Sequence, residues 1–288
     1  MDTGNKSKYV LFILLQSLIY GVGNPLTKIA YRSITPYWLL AGRYVFAAPL
    51  IVFLARKSLI KDIKSTDVKI WLPPCVCCAA AYITGNLALN YTTATNVGFI
   101  MSLPVLIAPV LAIPVMHQKY QWKHLPVQLA AVIGLFLLCC NGGFFKFGIG
   151  EVLAFIFAAC LAGHLVFGER ALQDMGVMSA TAIQLLFATA ACFICAFAAD
   201  DVSVLPGVSM EAWLIVAYLG IVCSIGGFLL QNKAVPNLSS RTVALLQCSQ
   251  PILTAAASYF ILGESLTLIG MLGAVIIIVC LVVDSRIS

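Results

Sequence analysis

Residues 240–264, SRTVALLQCSQPILTAAASYFILGE, echo residues 94–116, ATNVGFIMSLPVLIAPVLAIPVM. Placing Pro251 on Pro104 sets Thr242 on Thr95, Ser249 on Ser102 and Glu264 on His117, an offset of about 147 positions in a chain of 288. Trp71 and Trp213, each near the start of an apolar segment, sit at nearly the same offset. Internal repetition of this kind decides a fold before any local propensity does. Each copy is also long enough to cross a bilayer, because about 20 residues rising 1.5 Å each span about 30 Å. The first copy carries Pro104, Pro109 and Pro114. Each proline removes a backbone donor, and carbonyls freed at membrane depth need partners. This segment is therefore expected inside a bundle or beside a cavity, and Pro104 and Pro251 are expected to bend their helices near mid-membrane as paired hinges.

Hydrophobic residues make up 61% of the chain and charged residues 10%, with a mean hydropathy of +1.01. Soluble domains carry about 25% charged residues, and a soluble core could not cover this much apolar surface. The chain reads as an all-α polytopic membrane protein. Apolar segments place ten spans at 9–31, 36–56, 69–91, 94–116, 123–141, 148–170, 178–199, 212–235, 240–262 and 266–284. The longest connections are Lys57–Val68 and Ala199–Glu211.

With the N-terminus in the cytoplasm, thirteen of the 17 lysines and arginines fall on the inner side. Lys28, Arg32 and Lys146 fall outside, and Arg43 alone lies within a span. This asymmetry puts both termini in the cytoplasm, in the cytoplasmic membrane. The net charge of +6 fits basic loops against an anionic leaflet and calls for no nucleic acid. Five spans per copy is an odd number, so the second half enters the membrane in the opposite sense. The expected architecture is two inverted five-helix repeats, 1–146 and 147–288, around a pseudo-two-fold axis in the membrane plane. Such a pair has two arrangements of similar energy, one open to each side.

The eleven cysteines lie mostly within apolar segments. Cys75 and Cys78 would share a helical face, but Cys77 points elsewhere and no histidine stands near, whereas zinc takes four convergent ligands. They read as small buried residues, and no metal or other cofactor is expected.

Four blocks carry a family resemblance: GVGNPLTKIA at 21–30, AGRYVFAAPL at 41–50, ALNYTTATNVGFIMSL at 88–103 and QPILTAAASYFILGESLTLIGMLGA at 250–274. Through them the chain resembles EamA-type members of the drug/metabolite transporter superfamily, across both halves. The first half carries Met116-His117-Gln118 where Leu-Gly-Glu is often found. The resemblance implies a ten-helix carrier with a central cavity that moves small metabolites, often amino acids or related compounds.

Polar side chains within spans are costly unless they face a bundle interior or a cavity. In span one, Gln16, Tyr20, Asn24 and Lys28 recur every four residues, on one helical face. Tyr82, Asn86 and Asn90 do so in span three, and Gln247, Gln250 and Thr254 mark span nine. Aligning Gly23 with Gly163 sets His164 of span six on Asn24, and span eight adds Gln231 and Asn232. Each could line a cavity or glue helices together; as a set on spans one, three, six, eight and nine they are the candidate substrate-binding residues. His164 has no acid beside it to form a proton relay. Arg43 reads either as an anchor for a substrate carboxylate or as a structural partner of a carbonyl-rich helix end. Glu264, near a helix end, reads as a gate or joint contact. Gly98, Ser102, Gly134, Gly270 and Gly273 read as helix-packing positions.

No acid lies mid-span: Glu151, Glu169, Glu264 and Asp284 all fall near ends. A cationic substrate would want an anion in the cavity, so the substrate expected is a small zwitterionic or neutral metabolite. The alternatives are a channel, which needs a pore-lining filter, and an intramembrane enzyme. The sequence has no HExxH, no paired mid-span aspartates and no nucleophile partner for His117, His124 or His164. It has no P-loop for direct ATP drive. The partners expected are a small-molecule substrate and the lipid bilayer, with transport as an exporter or exchanger.

Overall fold

A computed structural model describes residues 3–91, 100, 102–117, 119–139, 148–263 and 267–287, and the regular structure among these is helical. Helix α1 runs Thr3–Ala30, α2 Pro36–Ala55, the short α3 Leu59–Ser65 and α4 Val68–Tyr91. They are followed by α5 (Pro104–Met116), α6 (Leu125–Cys139), α7 (Ile149–Ala171) and α8 (Val177–Ala199). The next span is composite, with α9 (Met210–Tyr218), a π-helical segment Leu219–Gly226 and α10 (Gly227–Leu238). Helices α11 (Ser240–Gln247), α12 (Gln250–Leu262) and α13 (Leu268–Ile287) complete the chain.

Among the described residues, eight helical stretches are long and apolar enough to cross a membrane, and Pro104–Met116 and Leu268–Asp284 are shorter apolar helices. They occupy the positions of the segments read from hydropathy. The protein is a multi-pass membrane protein. Two connections hold more structure than their polarity foretold: α3 lies within Lys57–Val68, and a 3-10 helix, Val202–Gly207, within Ala199–Glu211. The first helix starts at Thr3, ahead of position 9, and takes in Lys6 and Lys8 before the apolar run.

Helix ends follow local chemistry. Thr35 caps α2, its hydroxyl accepting from the Trp38 N–H, with Pro36 in the first turn where it displaces no intrahelical bond. Ser209 caps α9 in the same way through Ala212. Glu151 accepts the Gly148 N–H at 2.8 Å and so starts α7. Near another helix end, Glu169 accepts the Ser240 N–H at 2.6 Å, setting a carboxylate on the positive end of α11. Buried Asp284 pairs with buried His124 at 2.6 Å. The acids read as lying near span ends thus tie ends together, save Glu264, which lies outside the described residues.

The prolines differ from the expectation of mid-helix kinks. Pro104 is the first residue of α5 and Pro251 the second of α12. In these positions the missing N–H is one that a helix start leaves unpaired anyway. The break lies just before each proline, at Ser102–Leu103 and at Cys248–Ser249, where bonds reach back only three residues. Pro104→Ala therefore has no intrahelical bond to restore.

Helix α4 packs along α7 and also touches α8; α1 packs along α10 and α12; α2 packs on α8 and the π-helical segment; α5 packs on α7 and α11; α6 packs along α13. Phe260 and Leu268, 84% and 83% exposed, turn outward as a bilayer-facing surface requires. Gly134 and Gly273 abut, and a Cβ on either would strike the other's carbonyl oxygen, as expected for small-residue packing between membrane helices. Gly273→Ala should therefore push α6 and α13 apart at a cost of about 1–3 kcal/mol, read as a lowered midpoint in thermal unfolding of the detergent-solubilised protein. Gly207→Ala, which meets open space, should leave the midpoint unchanged.

Candidate functional site

The polar stripes converge. Gln16 of α1, Gln231 of α10, Gln247 of α11 and His164 of α7 form one buried network. The Gln231 carbonyl oxygen accepts from Gln16 Nε2 at 2.8 Å and from Gln247 Nε2 at 2.9 Å. The Gln16 carbonyl oxygen accepts from Gln247 Nε2 at 3.2 Å. Gln231 Nε2 lies 3.1 Å from His164 Nε2, and His164 Nδ1 lies 3.2 Å from the Pro74 carbonyl of α4. A ring protonated on Nδ1 donates to Pro74 and leaves Nε2 to accept from Gln231, so one tautomer satisfies the chain. Gln16, His164 and Gln231 are 1%, 3% and 5% exposed; at that burial an amide without a partner costs about 1–3 kcal/mol.

Along α1 the stripe meets that of span nine in rungs. Gln16 bonds Gln247, and two turns on, exposed Asn24 donates to Thr254 Oγ1 at 3.0 Å. Gly21 lets the backbones close in between, since a Cβ there would strike Leu253. Half-buried Gln250 lies between the rungs. Tyr20 packs into Gly227, and its hydroxyl interacts with Gln16 and Tyr82. Tyr82 stacks on Phe228 with centroids 6.0 Å apart and meets Tyr44 edge-on at 5.9 Å. Arg43 stands beside this aromatic group, its Nε donating to Ser224 Oγ at 2.6 Å.

The sequence matches the EamA-like transporter family over residues 7–140 and again over residues 148–284. The chain belongs to that family. Two relatives from Archaeoglobus fulgidus, each named an uncharacterized transporter, are similar to it. One is 29% identical over 153 residues, 53% of this chain, and the match spans 46% of that relative, less than half its length. The other is 25% identical over 287 residues, covering 94% of this chain and 95% of the relative. A protein of known crystal structure shares the fold, with a TM-score of 0.84 at 16% identity over 98% of this chain and 97% of that one.

Not every candidate residue of this EamA-family transporter joins the network. Asn232, next to Gln231, points the other way and donates to Thr181 and Gln184 of α8 at 2.9 and 3.0 Å. Asn86 accepts from the Tyr31 hydroxyl at 2.8 Å, at the far end of α1 and α4 from Gln16. The Asn90 side chain, Gly98 and Glu264 lie outside the described residues. Three residues of the candidate site are not marked by the polar stripes as read in the sequence. Tyr31 continues the α1 stripe by a three-residue step after Lys28, a signal that was present. Tyr44 follows Arg43 directly. Ser224 had no signal, because its position depends on the π-helical segment, where its hydroxyl donates to the Leu219 carbonyl five residues back.

If the four side chains form one network, Gln231→Leu should lower unfolding stability by about 1–3 kcal/mol, the cost of stranding its partners. The double variant Gln16→Leu/Gln231→Leu should lose less than the sum of the two single losses, with a coupling of about 0.5–3 kcal/mol. Additive losses in denaturant titrations would mean that the two amides act separately.

Proposed function

We propose that this EamA-family transporter is a secondary carrier that moves a small polar metabolite, an amino acid or a related zwitterionic or neutral compound, by alternating access across the cytoplasmic membrane as an exporter or exchanger. The observation that carries the reading is the Gln16–Gln231–Gln247–His164 network, to which both halves of the chain contribute and in which no single helix supplies more than one side chain. In the arrangement described, the amides bond one another. A polar substrate would substitute for those bonds, and helices now latched together would part around it. Because the network draws on α1, α7, α10 and α11, that substitution would act on both halves at once.

Two inverted repeats, 1–146 and 147–288, would supply the second state. Several observations support this. The family match occurs twice. Exchanging spans between halves carries the most extensive contacts onto one another: α4 on α7 becomes the composite span on α1, and α5 on α7 becomes α12 on α1. The close contacts follow the same exchange, since Gly23 faces Cys223 and Leu219 while its counterpart Gly163 faces Cys77. The interruptions ahead of Pro104 and Pro251 lie at corresponding places, where each half-helix could move separately about its break.

Counterflow in proteoliposomes tests the transport reading. Gln16→Ala and Gln247→Ala should weaken substrate affinity at least about tenfold, the loss of one good hydrogen bond, in protein that still folds and inserts. Normal affinity in both would return the network to a helix-joining role. For orientation, with both termini cytoplasmic, a cysteine at Ser203 in a cysteine-depleted background should react with an impermeant label added outside. Reaction only from the cytoplasmic face would reverse the topology.

A further inference from the structure

Arg43 is the one cation that the spans read from hydropathy place within the membrane, and its surroundings are incomplete. The guanidinium sits 5.3 Å from the Tyr82 ring centroid and 5.9 Å from that of Tyr44. Its Nε donates to Ser224, whose own proton goes to the Leu219 carbonyl. Among the described residues no carboxylate pairs with Arg43, and its two terminal nitrogens have no hydrogen-bond partner. Ring faces ease the burial of a cation, but they do not take up in-plane N–H donors. A charge held this way at membrane depth, with part of its donor set open, is costly unless something negative joins it.

A second open donor stands close by on the same helices. The Asn86 oxygen accepts from Tyr31, which turns the amide so that Nδ2 is the free end, and that nitrogen is buried with no partner. Asn86 lines a narrow crevice between α2, α4 and α8, closed to water as it stands, with Leu40, Ile83 and Cys192 among the other walls. Leu40 is one helical turn from Arg43, and Asn86 one turn from Tyr82, so both pairs share a helix face. Gly220 makes the placement of Arg43 possible. A Cβ there would strike the Arg43 carbonyl, so only glycine lets the π-helical segment bring Ser224 to the guanidinium.

We propose that Arg43 binds the carboxylate of the transported metabolite, with Asn86 as a second donor and the Tyr44 and Tyr82 rings against the apolar body. This rests on the carrier reading above and narrows its substrate to compounds bearing one carboxylate. One guanidinium balances one negative charge. With Nε engaged, the two terminal nitrogens form the edge that matches a planar carboxylate in two parallel bonds. A phosphate dianion would leave a charge unmatched, since no second cation shares the site among the described residues.

The test uses the full chain in nanodiscs of zwitterionic lipid and follows thermal unfolding. The probes are monocarboxylates from acetate through leucine to benzoate, each beside its carboxamide, with chloride and phosphate as inorganic arms. At least one carboxylate should raise the midpoint by several degrees where its carboxamide does not, because a ligand of the folded state stabilises it. Arg43→Gln should abolish the shift, and Arg43→Lys, which keeps the charge but loses the fork, should weaken binding by about an order of magnitude. The carboxylate–carboxamide comparison on the unaltered chain decides the matter even if Arg43→Gln fails to fold.

Equal shifts from acid and amide, no shift from any carboxylate, or equal shifts from chloride or phosphate would each overturn the proposal. If acid and amide bind alike and Gln247→Ala abolishes both, the carrier reading stands and the role given to Arg43 is wrong. If carboxylates bind through Arg43 but show no counterflow, the anion site stands and the carrier reading is wrong.

Discussion

In the interior of a bilayer every polar group must find its partner within the protein, and in this chain the Gln231 amide meets that demand for several helices together. Its oxygen takes the amides of Gln16 and Gln247, and its nitrogen reaches His164, which in turn leans on the Pro74 carbonyl. Five stretches of chain, from α1, α4, α7, α10 and α11, are thereby held in one register. Apolar packing alone would specify that register weakly, because lipid tails are as apolar as the leucines they would replace. The network is also the part of the fold with an obvious exchange open to it, since amide–amide bonds can give way to bonds with a polar solute at little net change.

Around that centre, glycines set how closely helices approach. Gly134 and Gly273 bring α6 and α13 into backbone contact, Gly227 admits the Tyr20 ring, and Gly220 lets the π-helical segment rest on the backbone of α2. The wider winding of that segment places Ser224, within it, against Arg43 and offsets the residues after it, Gln231 among them. A π-helical stretch departs from ordinary hydrogen bonding, and such departures gather at functional sites. Here it separates two polar features, the amide network and the lone guanidinium, that a regular helix would present differently.

Periodicity made much of the site legible. The four-residue steps of Gln16, Tyr20 and Asn24 and the stripe of Gln247, Gln250 and Thr254 do face one another, in rungs at Gln16–Gln247 and Asn24–Thr254. Where reading by position failed, the reason is geometric. Gln231 and Asn232 are neighbours in sequence and look equivalent as a polar pair, but adjacent residues on a helix diverge by about 100°, and Asn232 serves α8 instead. The prolines were read as kinks because a proline within a long apolar run ordinarily removes a bond. Pro104 and Pro251 instead begin new half-helices, where no bond is lost.

While the family resemblance was carried by four separate sequence blocks, hydropathy and the repeated proline-bearing stretch sufficed to mark a multi-pass helical membrane protein and to locate its helices. These depend on transfer free energies that add residue by residue along the chain. Tertiary structure alone decided which amide meets which, that His164 faces Pro74, and that Arg43 stands among tyrosines with Ser224 as its hydrogen-bond acceptor and, among the described residues, no acid opposite. Those outcomes turn on helix rotation and on a few ångströms of backbone approach at glycines and at the π-helical segment. Such quantities are set by how helices distant in sequence fit together, and no single stretch of the sequence contains them.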